Sequence, residues 1–205
     1  MSLTAGDFGG PADFVRIFGR TGEMHVEIGC GKGTFLLAEA AARPRVNFLG
    51  IERSHHYWRY AVDRAGRRGF SNVRILLAEA ADFLAGPVAA SSVDCFHVYF
   101  PDPWPKRRHN KRRFFSRRNL ENMLRALKEG GLVKVVTDHA DYFEIIKALI
   151  DESAGSLERI GFEPAAGAAE GEYVGTNYER KYLAEGRKIY AVAAVAYGHS
   201  RCSSH

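Results

Sequence analysis

The amino-acid sequence predicts an α/β fold organised around a doubly wound, mostly parallel β-sheet. Short apolar runs alternate with amphipathic stretches along the chain, which is the pattern of successive βαβ units. The first apolar run leads into a glycine-rich turn, Gly29-Cys30-Gly31-Lys32-Gly33, and an amphipathic stretch follows it. The 205 residues suit one domain with small extensions, and they contain no internal repeat. A single α/β domain is therefore expected.

Each strand of this sheet is predicted from a short apolar run, beginning with Met24–Gly29. The further strands are expected at Val46–Glu52, Val73–Ala78, Val93–Phe100, from Leu132, near Leu157–Phe162 and from Ile189. The helices are expected at Thr34–Ala42, around Tyr57–Val62, at Arg117–Lys128 and at Tyr142–Ser153. Gly130-Gly131 is a C-cap signal that ends the third of these helices, and a Gly/Ala-rich loop through Gly175 precedes the last strand.

Composition and termini set the class of protein. The domain is placed at residues 21–198, between a flexible N-terminal segment, 1–20, and a flexible tail, 199–205. With 46% hydrophobic and 26% charged residues, and no apolar run near the roughly 20 residues of a membrane span, a cytoplasmic protein is expected. The N-terminal residues also lack a secretory pattern. The three cysteines are far apart and have no ligand spacing, so neither a disulfide framework nor a metal site is predicted.

The glycine-rich turn lies between a strand and a helix, where glycines let a ligand approach the backbone. On the glycines alone, a purely structural turn is an open alternative. Glu27 precedes the turn, and Glu52 closes the second strand, where an acid binds ribose hydroxyls in such folds. Acids oppose a phosphate and suit a cation, so S-adenosylmethionine fits better than a dinucleotide. Glu79, after the third strand, is placed near the adenine, with a solvated helix-start acid as the alternative.

Prolines stiffen the segment after the fourth predicted strand, Phe100–Lys106, which we term the Asp102 loop. It carries Asp102 and Trp104 over the carboxyl end of the sheet, where rigid loops position functional groups. For Trp104, packing against the protein is an equally good interpretation.

The next stretch, Lys106–Arg118, contains eight Lys or Arg residues among thirteen and no acid. We call it the basic segment. The net charge of the whole chain is +5, so this segment concentrates the excess. Its like charges repel one another unless a polyanion is present, which favours RNA binding over a solvated face. Phe114 and Phe115 within it are expected to anchor the segment to the core.

Five segments occur in order along the chain: VEIGCGKG, LGIE, VYFPDPWPKRRHNKRR, TDHADY and GTNYERK. Together they resemble the tRNA (guanine-N7)-methyltransferase family, over roughly Glu23–Tyr197. The PDPW segment with its basic extension is highly specific, whereas the glycine-rich turn is shared by most S-adenosylmethionine enzymes. The resemblance implies a Rossmann-like class I methyltransferase fold with a seven-stranded sheet.

The resemblance also implies a reaction, in which a methyl group moves from S-adenosylmethionine to N7 of guanine at position 46 in the variable loop of tRNA. The products are 7-methylguanosine and S-adenosylhomocysteine. The implied partner is tRNA, without a metal or a membrane, and monomer and homodimer are both left open. Asp102 is the implied catalytic residue, and it lines the cofactor site together with Glu27, Gly29, Gly31, Gly33, Glu52 and Glu79. The implied substrate contacts are Lys106, Asp138, Thr176, Asn177, Tyr178 and Glu179.

The chemistry of guanine agrees with these residues. N7 offers a lone pair and loses no proton, so the reaction needs positioning and electrostatic accommodation rather than a strong base. Asp102 suits that role. Glu179 is suited to accept hydrogen bonds from guanine N1–H and N2, with Tyr178 stacking on an extruded base, although a surface hairpin is the alternative for that stretch. Asp138 ends the fifth strand and either faces the crevice or caps the next helix.

Other functions fit the sequence less well. A catalytically inactive RNA-binding module predicts loss of the acidic residues, and all of them are present. An exocyclic-amine methyltransferase is suggested by FPDPW, but its Trp position and the basic extension are foreign to that pattern. A cysteine nucleophile at Cys30 is disfavoured because a small residue is needed in the glycine-rich turn. A nicotinamide oxidoreductase lacks any sign of a hydride-transfer site.

Overall fold

The structure is a computed structural model that describes residues 1–8 and 10–197. In this part of the chain, eight strands form one sheet: β1 Ser2–Thr4, β2 Met24–Ile28, β3 Asn47–Glu52, β4 Val73–Leu77, β5 Val93–Tyr99, β6 Leu127–Thr137, β7 Leu157–Ile160 and β8 Tyr190–Ala196. The helices are α1 Phe14–Phe18, α2 Thr34–Ala42, α3 His55–Arg67, α4 Ala80–Ala85, α5 Arg117–Ala126, α6 Ala140–Glu152 and α7 Asn177–Ala184. Short 3-10 turns cover Ala5–Asp7 and Arg107–Arg112.

The strand order β1-β4-β3-β2-β5-β6-β8-β7 confirms the doubly wound sheet. Strands β1 to β6 are parallel, whereas β8 runs antiparallel to both β6 and β7. The chain moves outward in one direction from β2 through β3 and β4, and in the other direction from β5, so β2 and β5 flank the switch point. Ligands of such sheets bind in the crevice at the carboxyl ends of these two strands.

The sheet has one strand more than the seven expected. The additional strand, β1, pairs with β4, and the carbonyl of Met1 accepts a hydrogen bond from Ile75 N at 2.9 Å. Residues 1–20, for which the sequence predicts a flexible segment, also contain α1, whose N-cap Asp13 accepts from Arg16 N at 3.0 Å. The predicted tail, 199–205, lies outside the described residues.

The boundary between α5 and β6 corrects one prediction. The helix ends at Ala126 and the strand begins at Leu127, so Gly130-Gly131 lies inside β6 rather than capping the helix. The register of β5 against β6 shifts there, from Val93 opposite Leu127 to Cys95 opposite Leu132. Gly130 has φ of 75°, and this left-handed conformation absorbs the irregularity.

The core lies on both faces of the sheet. All five residues of β2 and all six of β3 are buried, as expected for central parallel strands covered by helices on both sides. Phe35, Leu36 and Leu37 of α2 are also buried, so the helix that follows the glycine-rich turn packs directly on the sheet. In the described part of the chain, every helix is too short or too polar to cross a membrane.

Candidate active site

The glycine-rich turn connects β2 to α2 at the switch point. Gly29, Gly31 and Gly33 have φ of 71°, 52° and 70°, a left-handed conformation that residues with a Cβ rarely adopt. The amides of Gly29 and Cys30 donate to the carbonyl of Ile51 in β3 at 2.8 and 3.0 Å. The turn is therefore fastened to the neighbouring strand, and its shape depends on all three glycines.

Glu52, at the carboxyl end of β3, supports this turn from the side. Its Oε2 accepts from Gly31 N at 2.9 Å and its Oε1 from Ser54 N at 2.7 Å. The residue is only 8% exposed, so both bonds lie in a largely desolvated place. Glu52 thus joins the glycine-rich turn to the start of α3, in addition to any contact with a ligand.

Gly50 was not singled out from the sequence, yet it determines how closely the turn approaches β3. A Cβ at this position would lie 2.7 Å from Cys30 Sγ and 2.8 Å from Leu36 Cδ2. Real Cβ atoms do not approach other atoms so closely, so only glycine fits without a shift of the Cys30 and Leu36 side chains or of the turn. Its place in the LGIE segment, one strand away from the glycine-rich turn, is the signal that could have identified it.

Glu27, at the end of β2, is the most unusual group in the site. It is 4% exposed, and its Oε2 is the only buried side-chain oxygen or nitrogen of the described residues that has no hydrogen-bond partner. Burial, and then the nearby charge of Glu52, raise the pKa of the Glu27 carboxyl well above its ordinary value, while a backbone hydrogen bond from Leu36 opposes them. A buried acceptor without a donor beside the glycine-rich turn is what a cationic or donor-bearing ligand needs.

Arg53 links the two remaining acids that were predicted to line the cofactor site. Its Nη2 lies 3.3 Å from Asp102 Oδ2, and its Nη1 lies 3.8 Å from Glu79 Oε2. The three side chains are half or more exposed, with values of 60%, 66% and 50% for Arg53, Asp102 and Glu79. The structure therefore brings Asp102 and Glu79 to the same cation, although neither acid contacts Glu27 or Glu52.

The Asp102 loop has a strained backbone at both of its aromatic residues. Phe100 has φ of 49° and Trp104 has φ of 40°, and bulky residues in this region are true outliers that occur at functional sites. Trp104 is half-buried, with His109 in an edge contact at 5.7 Å and the Arg112 guanidinium 5.0 Å from its ring centre. Trp104 therefore packs against the basic segment rather than against the sheet.

The basic segment is exposed over most of its length and includes the 3-10 turn Arg107–Arg112. Lys106, Arg107 and Lys111 are exposed and make no ion pair within the described residues. Phe115 is 1% exposed and belongs to the main core, so the predicted anchoring by this phenylalanine is confirmed. The segment is thus held to the core at Phe115, while most of its charged side chains are exposed.

Asp138 follows β6 and is paired with Arg187 at 2.8 Å. The cap of α6 is His139, whose Nδ1 accepts from Tyr142 N at 3.3 Å, so the alternative interpretation of Asp138 as that cap is wrong. Asp138 is partly buried at the carboxyl end of its strand, where it was expected.

The stretch Thr176–Glu179 begins helix α7, and a surface hairpin is excluded. Thr176 is the N-cap and accepts from Glu179 N at 3.1 Å. The spacing of Thr and Glu is a helix-start pattern that sequence reasoning missed. Asn177 and Tyr178 are exposed at the first turn, and Asn177 Nδ2 lies 3.4 Å from Thr34 Oγ1 at the start of α2. Tyr178 is 52% exposed, 6.5 Å from Phe100 between ring centres.

Glu179 has a different environment from the one its predicted role needs. Its carboxylate is fully buried and accepts from three successive amides, those of Tyr173, Val174 and Gly175, at 2.6, 2.9 and 2.8 Å. Direct acceptance from guanine N1–H and N2 would require the carboxylate to leave these amides. In this structure Glu179 shapes the turn before α7 and does not face the crevice.

Comparison with known proteins agrees with this arrangement. A family model described as "Putative methyltransferase" matches residues 21–192. A tRNA (guanine-N(7)-)-methyltransferase of Streptococcus suis is 33% identical over 181 residues, which are 88% of this chain and 84% of the relative. The chain belongs to the tRNA (guanine-N7)-methyltransferase family. The resemblance stated from the sequence is thereby confirmed.

Two further curated relatives carry the same name. The methyltransferase of Rhodopirellula baltica is 35% identical over 181 residues, which are 86% of this chain and 67% of the relative. That of Nocardia farcinica is 43% identical over 139 residues, which are 68% of this chain but only 52% of the relative. The matched part thus spans about half the length of the Nocardia relative.

Solved structures establish the fold of this methyltransferase. An antibiotic-related methyltransferase aligns with a TM-score of 0.57 at 21% identity, covering 91% of this chain and 92% of that structure. An S-adenosylmethionine-dependent methyltransferase from Aquifex aeolicus aligns with a TM-score of 0.54 at 13% identity, covering 89% of this chain and 86% of that structure. The predicted class I methyltransferase fold is confirmed.

Proposed function

We propose that this protein transfers a methyl group from S-adenosylmethionine to N7 of a guanine in the variable loop of tRNA. The products are 7-methylguanosine and S-adenosylhomocysteine. The observation that carries this proposal is that the Asp102 loop leads from the end of β5, beside the acids of the glycine-rich turn and the unpaired Glu27 oxygen, directly into the exposed basic segment. The names of the relatives support tRNA guanine N7 as the methyl acceptor. The acidic residues beside the glycine-rich turn support S-adenosylmethionine as the methyl donor.

The residues of the proposed cofactor site fit S-adenosylmethionine by the acceptor oxygens that they offer. Glu27 offers a buried oxygen without a donor, and Glu52 lies at the ribose position of the fold. Gly29 and Gly31 leave room beside the backbone. No cation faces Glu27 or Glu52 within hydrogen-bonding distance in the described part of the chain, so the pocket disfavours phosphates. When bound, S-adenosylmethionine supplies an activated methyl group on a positively charged sulfur.

The reaction centre needs no general base, because guanine N7 is a lone pair that loses no proton. The exposed carboxylate of Asp102 serves to orient the acceptor and to accommodate positive charge as it appears on the purine. Cys30 is not a nucleophile in this scheme, because burial raises the pKa of its thiol well above the ordinary value. Its side chain packs against Gly50 and the core below the turn.

The residues proposed to bind tRNA are chosen by the exposure and the chemistry of their side chains. Tyr178 offers an exposed ring for an extruded base, and Asn177 beside it in the chain offers an exposed donor. Lys106, at the end of the Asp102 loop, offers an exposed cation. Glu179 acts through shape, since its carboxylate holds the turn that presents Thr176 and Asn177. Exposed cations of the basic segment bind phosphates, and Asp138 is kept as a substrate contact of the neighbouring strand.

We further propose a cytoplasmic location, where tRNA is modified, and a monomer or homodimer without a bound metal. The side chains of His25, Cys95 and His97 lie as close together as the ligands of a metal ion, within 4.8 Å of one another. These residues are buried in the sheet, and His97 is already bonded to His25 at 3.0 Å and to the Tyr99 hydroxyl at 2.7 Å. Arg43 and Lys134 add positive charge around these rings, which opposes a cation.

The proposal is tested by incubating the protein with S-adenosylmethionine and unmodified tRNA, digesting the RNA, and measuring 7-methylguanosine by mass spectrometry. Asp102→Asn keeps the shape of the side chain and removes its charge, and we expect turnover to fall by about 100-fold or more. Asp63→Asn, at an exposed acid on α3, is the matched control and should keep full turnover. A wild-type protein that binds S-adenosylmethionine but forms no 7-methylguanosine would reject the proposed acceptor.

A further inference from the structure

One arginine of the basic segment turns inward, unlike its neighbours. Arg113 Nε donates to the carbonyl oxygen of Pro103 at 2.7 Å, and its guanidinium lies 4.8 Å from the centre of the Tyr142 ring. Arg113 is half-buried, whereas Arg107, Lys111 and Arg112 beside it are exposed. A guanidinium that is already bonded and stacked is poorly placed to bind a phosphate.

The support beneath Arg113 is rigid. Tyr142 is fully buried in the first turn of α6, and its hydroxyl accepts from Phe115 N at 2.9 Å. Phe115, two residues after Arg113, is itself 1% exposed. The ring and the backbone that follows Arg113 are thus fixed to the core, so the arginine has a defined position from which to hold another group.

The group it holds is the peptide next to Asp102. Pro101, Pro103 and Pro105 have no N–H to donate, so this loop has few ways to fasten its own backbone. Its entry is tied by the amide of Phe100, which donates to Val136 O at 2.7 Å. The bond from Arg113 to Pro103 ties the far side of Asp102. A backbone that is strained at Phe100 and Trp104 keeps its conformation only where such contacts hold it.

We propose that Arg113 is a positioning residue of methyl transfer: it fixes the Asp102 loop and does not serve as a phosphate ligand of the RNA. This inference rests on the proposed function of the site. It divides the basic segment into cations that bind RNA and one cation that orders the reaction centre. Arg107, exposed and without an ion pair in the described residues, represents the first group. Arg68, an exposed arginine at the C-terminal end of α3 that also has no ion pair there, belongs to neither group and provides the matched control.

The decisive variants are Arg113→Lys, which keeps the charge but loses the planar donor, Arg107→Ala, and the control Arg68→Lys. For Arg113→Lys we expect kcat at saturating tRNA and S-adenosylmethionine to fall by about 10- to 100-fold, because a displaced reacting group costs that much. The salt dependence of tRNA binding and the Kd for S-adenosylmethionine should stay unchanged. Arg68→Lys should match wild type in all three measurements. Arg107→Ala should reduce the salt slope by about 0.7 to 0.9, a change that Arg113→Lys should not show.

Chemical rescue separates positioning from folding. Arg113→Ala should regain a large part of its lost kcat when methylguanidinium is added, whereas Asp102→Asn should not respond. A wild-type kcat for Arg113→Lys together with a lower salt slope for Arg113→Ala would overturn the inference and make Arg113 an ordinary phosphate ligand.

A readout without RNA distinguishes failure of this inference from failure of the proposed function. In a Trp58→Phe background, Trp104 is the remaining tryptophan, and Arg113→Ala should shift its emission to longer wavelength as the loop loosens, with little change in Tm. Unchanged emission would contradict the inference even if the acceptor of the methyl group proved to be a different RNA. Wild-type protein that forms no 7-methylguanosine, but shows this shift on Arg113→Ala, would reject only the proposed acceptor.

Discussion

The glycine-rich turn and the basic segment both follow strands at the switch point, but they differ in burial, charge and attachment. Glu27 and Glu52 beside the turn are 4% and 8% exposed, and backbone amides engage Glu52 directly. Lys106, Arg107 and Lys111 of the basic segment are exposed and have no ion pair in the described residues. A desolvated site depends on a few atoms, whereas an exposed one spreads its affinity over many salt-sensitive contacts. Single substitutions should therefore act strongly on the first region and weakly on the second.

The largest effect is expected for Glu27→Gln, which tests the buried side of the comparison. Loss of the charged acceptor should weaken S-adenosylmethionine binding by about 100-fold, roughly 3 kcal/mol, measured by calorimetry. Stability should move the other way. The pKa of Glu27 is raised in the folded state above its ordinary 4.5, so the folded protein holds this proton longer than the unfolded chain. The free energy of unfolding of the wild type therefore falls as pH rises above 4.5, and Glu27→Gln should not show this fall.

Glu52→Gln is the matched comparison for the stability measurement on Glu27→Gln. Both Glu52 oxygens accept from backbone amides, and an amide NH₂ in place of one oxygen would face Gly31 N or Ser54 N. We expect a loss of about 1 to 3 kcal/mol in the free energy of unfolding at pH 7. Equal changes in Tm for the two variants would show that the unpaired oxygen of Glu27 has no special cost.

The next effect concerns the packing that shapes the turn. Gly50→Ala should destabilise the protein by about 1 to 3 kcal/mol, because its Cβ would overlap Cys30 Sγ and Leu36 Cδ2. Gly66→Ala in α3 meets no atom within 4 Å and should raise the free energy of unfolding by about 0.5 to 1 kcal/mol. Chemical unfolding of both variants measures the difference, and a neutral Gly50→Ala would mean that the Cys30 and Leu36 side chains, or the turn itself, can move away from β3.

A smaller effect is expected for substitutions in the basic segment. Replacement of Arg107 and Arg108 by alanine should weaken tRNA binding by about threefold to tenfold and reduce the slope of log Kd against log salt by roughly 1 to 2. S-adenosylmethionine binding should not change. Titration of labelled tRNA at several salt concentrations gives the slope. A loss as large as that of Glu27→Gln, or one that is independent of salt, would remove the distinction between the two regions.

The smallest effect is expected at Arg53, which lies between the regions and pairs with both Asp102 and Glu79. Arg53→Gln leaves these exposed carboxylates without their cation, so a charged sulfonium should gain relative to the neutral thioether of the product. We expect the ratio of affinities for S-adenosylmethionine and S-adenosylhomocysteine to rise by about twofold to threefold, in line with exposed ion pairs. A falling ratio would indicate that Arg53 itself contacts the ligand.

Much of the fold follows from the sequence because buried parallel strands are continuous apolar runs. The bounds predicted for α2 are those observed, and β2 to β5 lie within one residue of their predicted ranges. The strand β1 was missed because three residues, Ser2–Thr4, carry no periodicity, and only the edge of β4 makes them a strand. The helix α7 was missed because its capping pattern was given a binding role instead.

The candidate site, like the fold, contains positions that the sequence predicted and contacts that it did not. Positions at strand ends, such as Glu27, Glu52 and Asp138, were expected at the crevice because topology places strand ends there. The pairing of Arg53 with two acids and the inward turn of Arg113 depend on side chains far apart in sequence, so no local pattern contains them. Glu179 shows the converse limit: its residue type agreed with guanine recognition, but its burial assigns the carboxylate to three amides of its own chain.

The pairing of β1 with β4 has a consequence for how molecules of this protein behave toward one another. Without Ser2–Thr4, β4 would present unpaired amides and carbonyls along one side of the sheet, and such an edge is a template for intermolecular pairing. The three residues act as a short, largely polar cover that ends the sheet before it can extend into a second copy. Deletion of Met1–Thr4 is therefore expected to alter solubility at high concentration while the chemistry at the switch point continues.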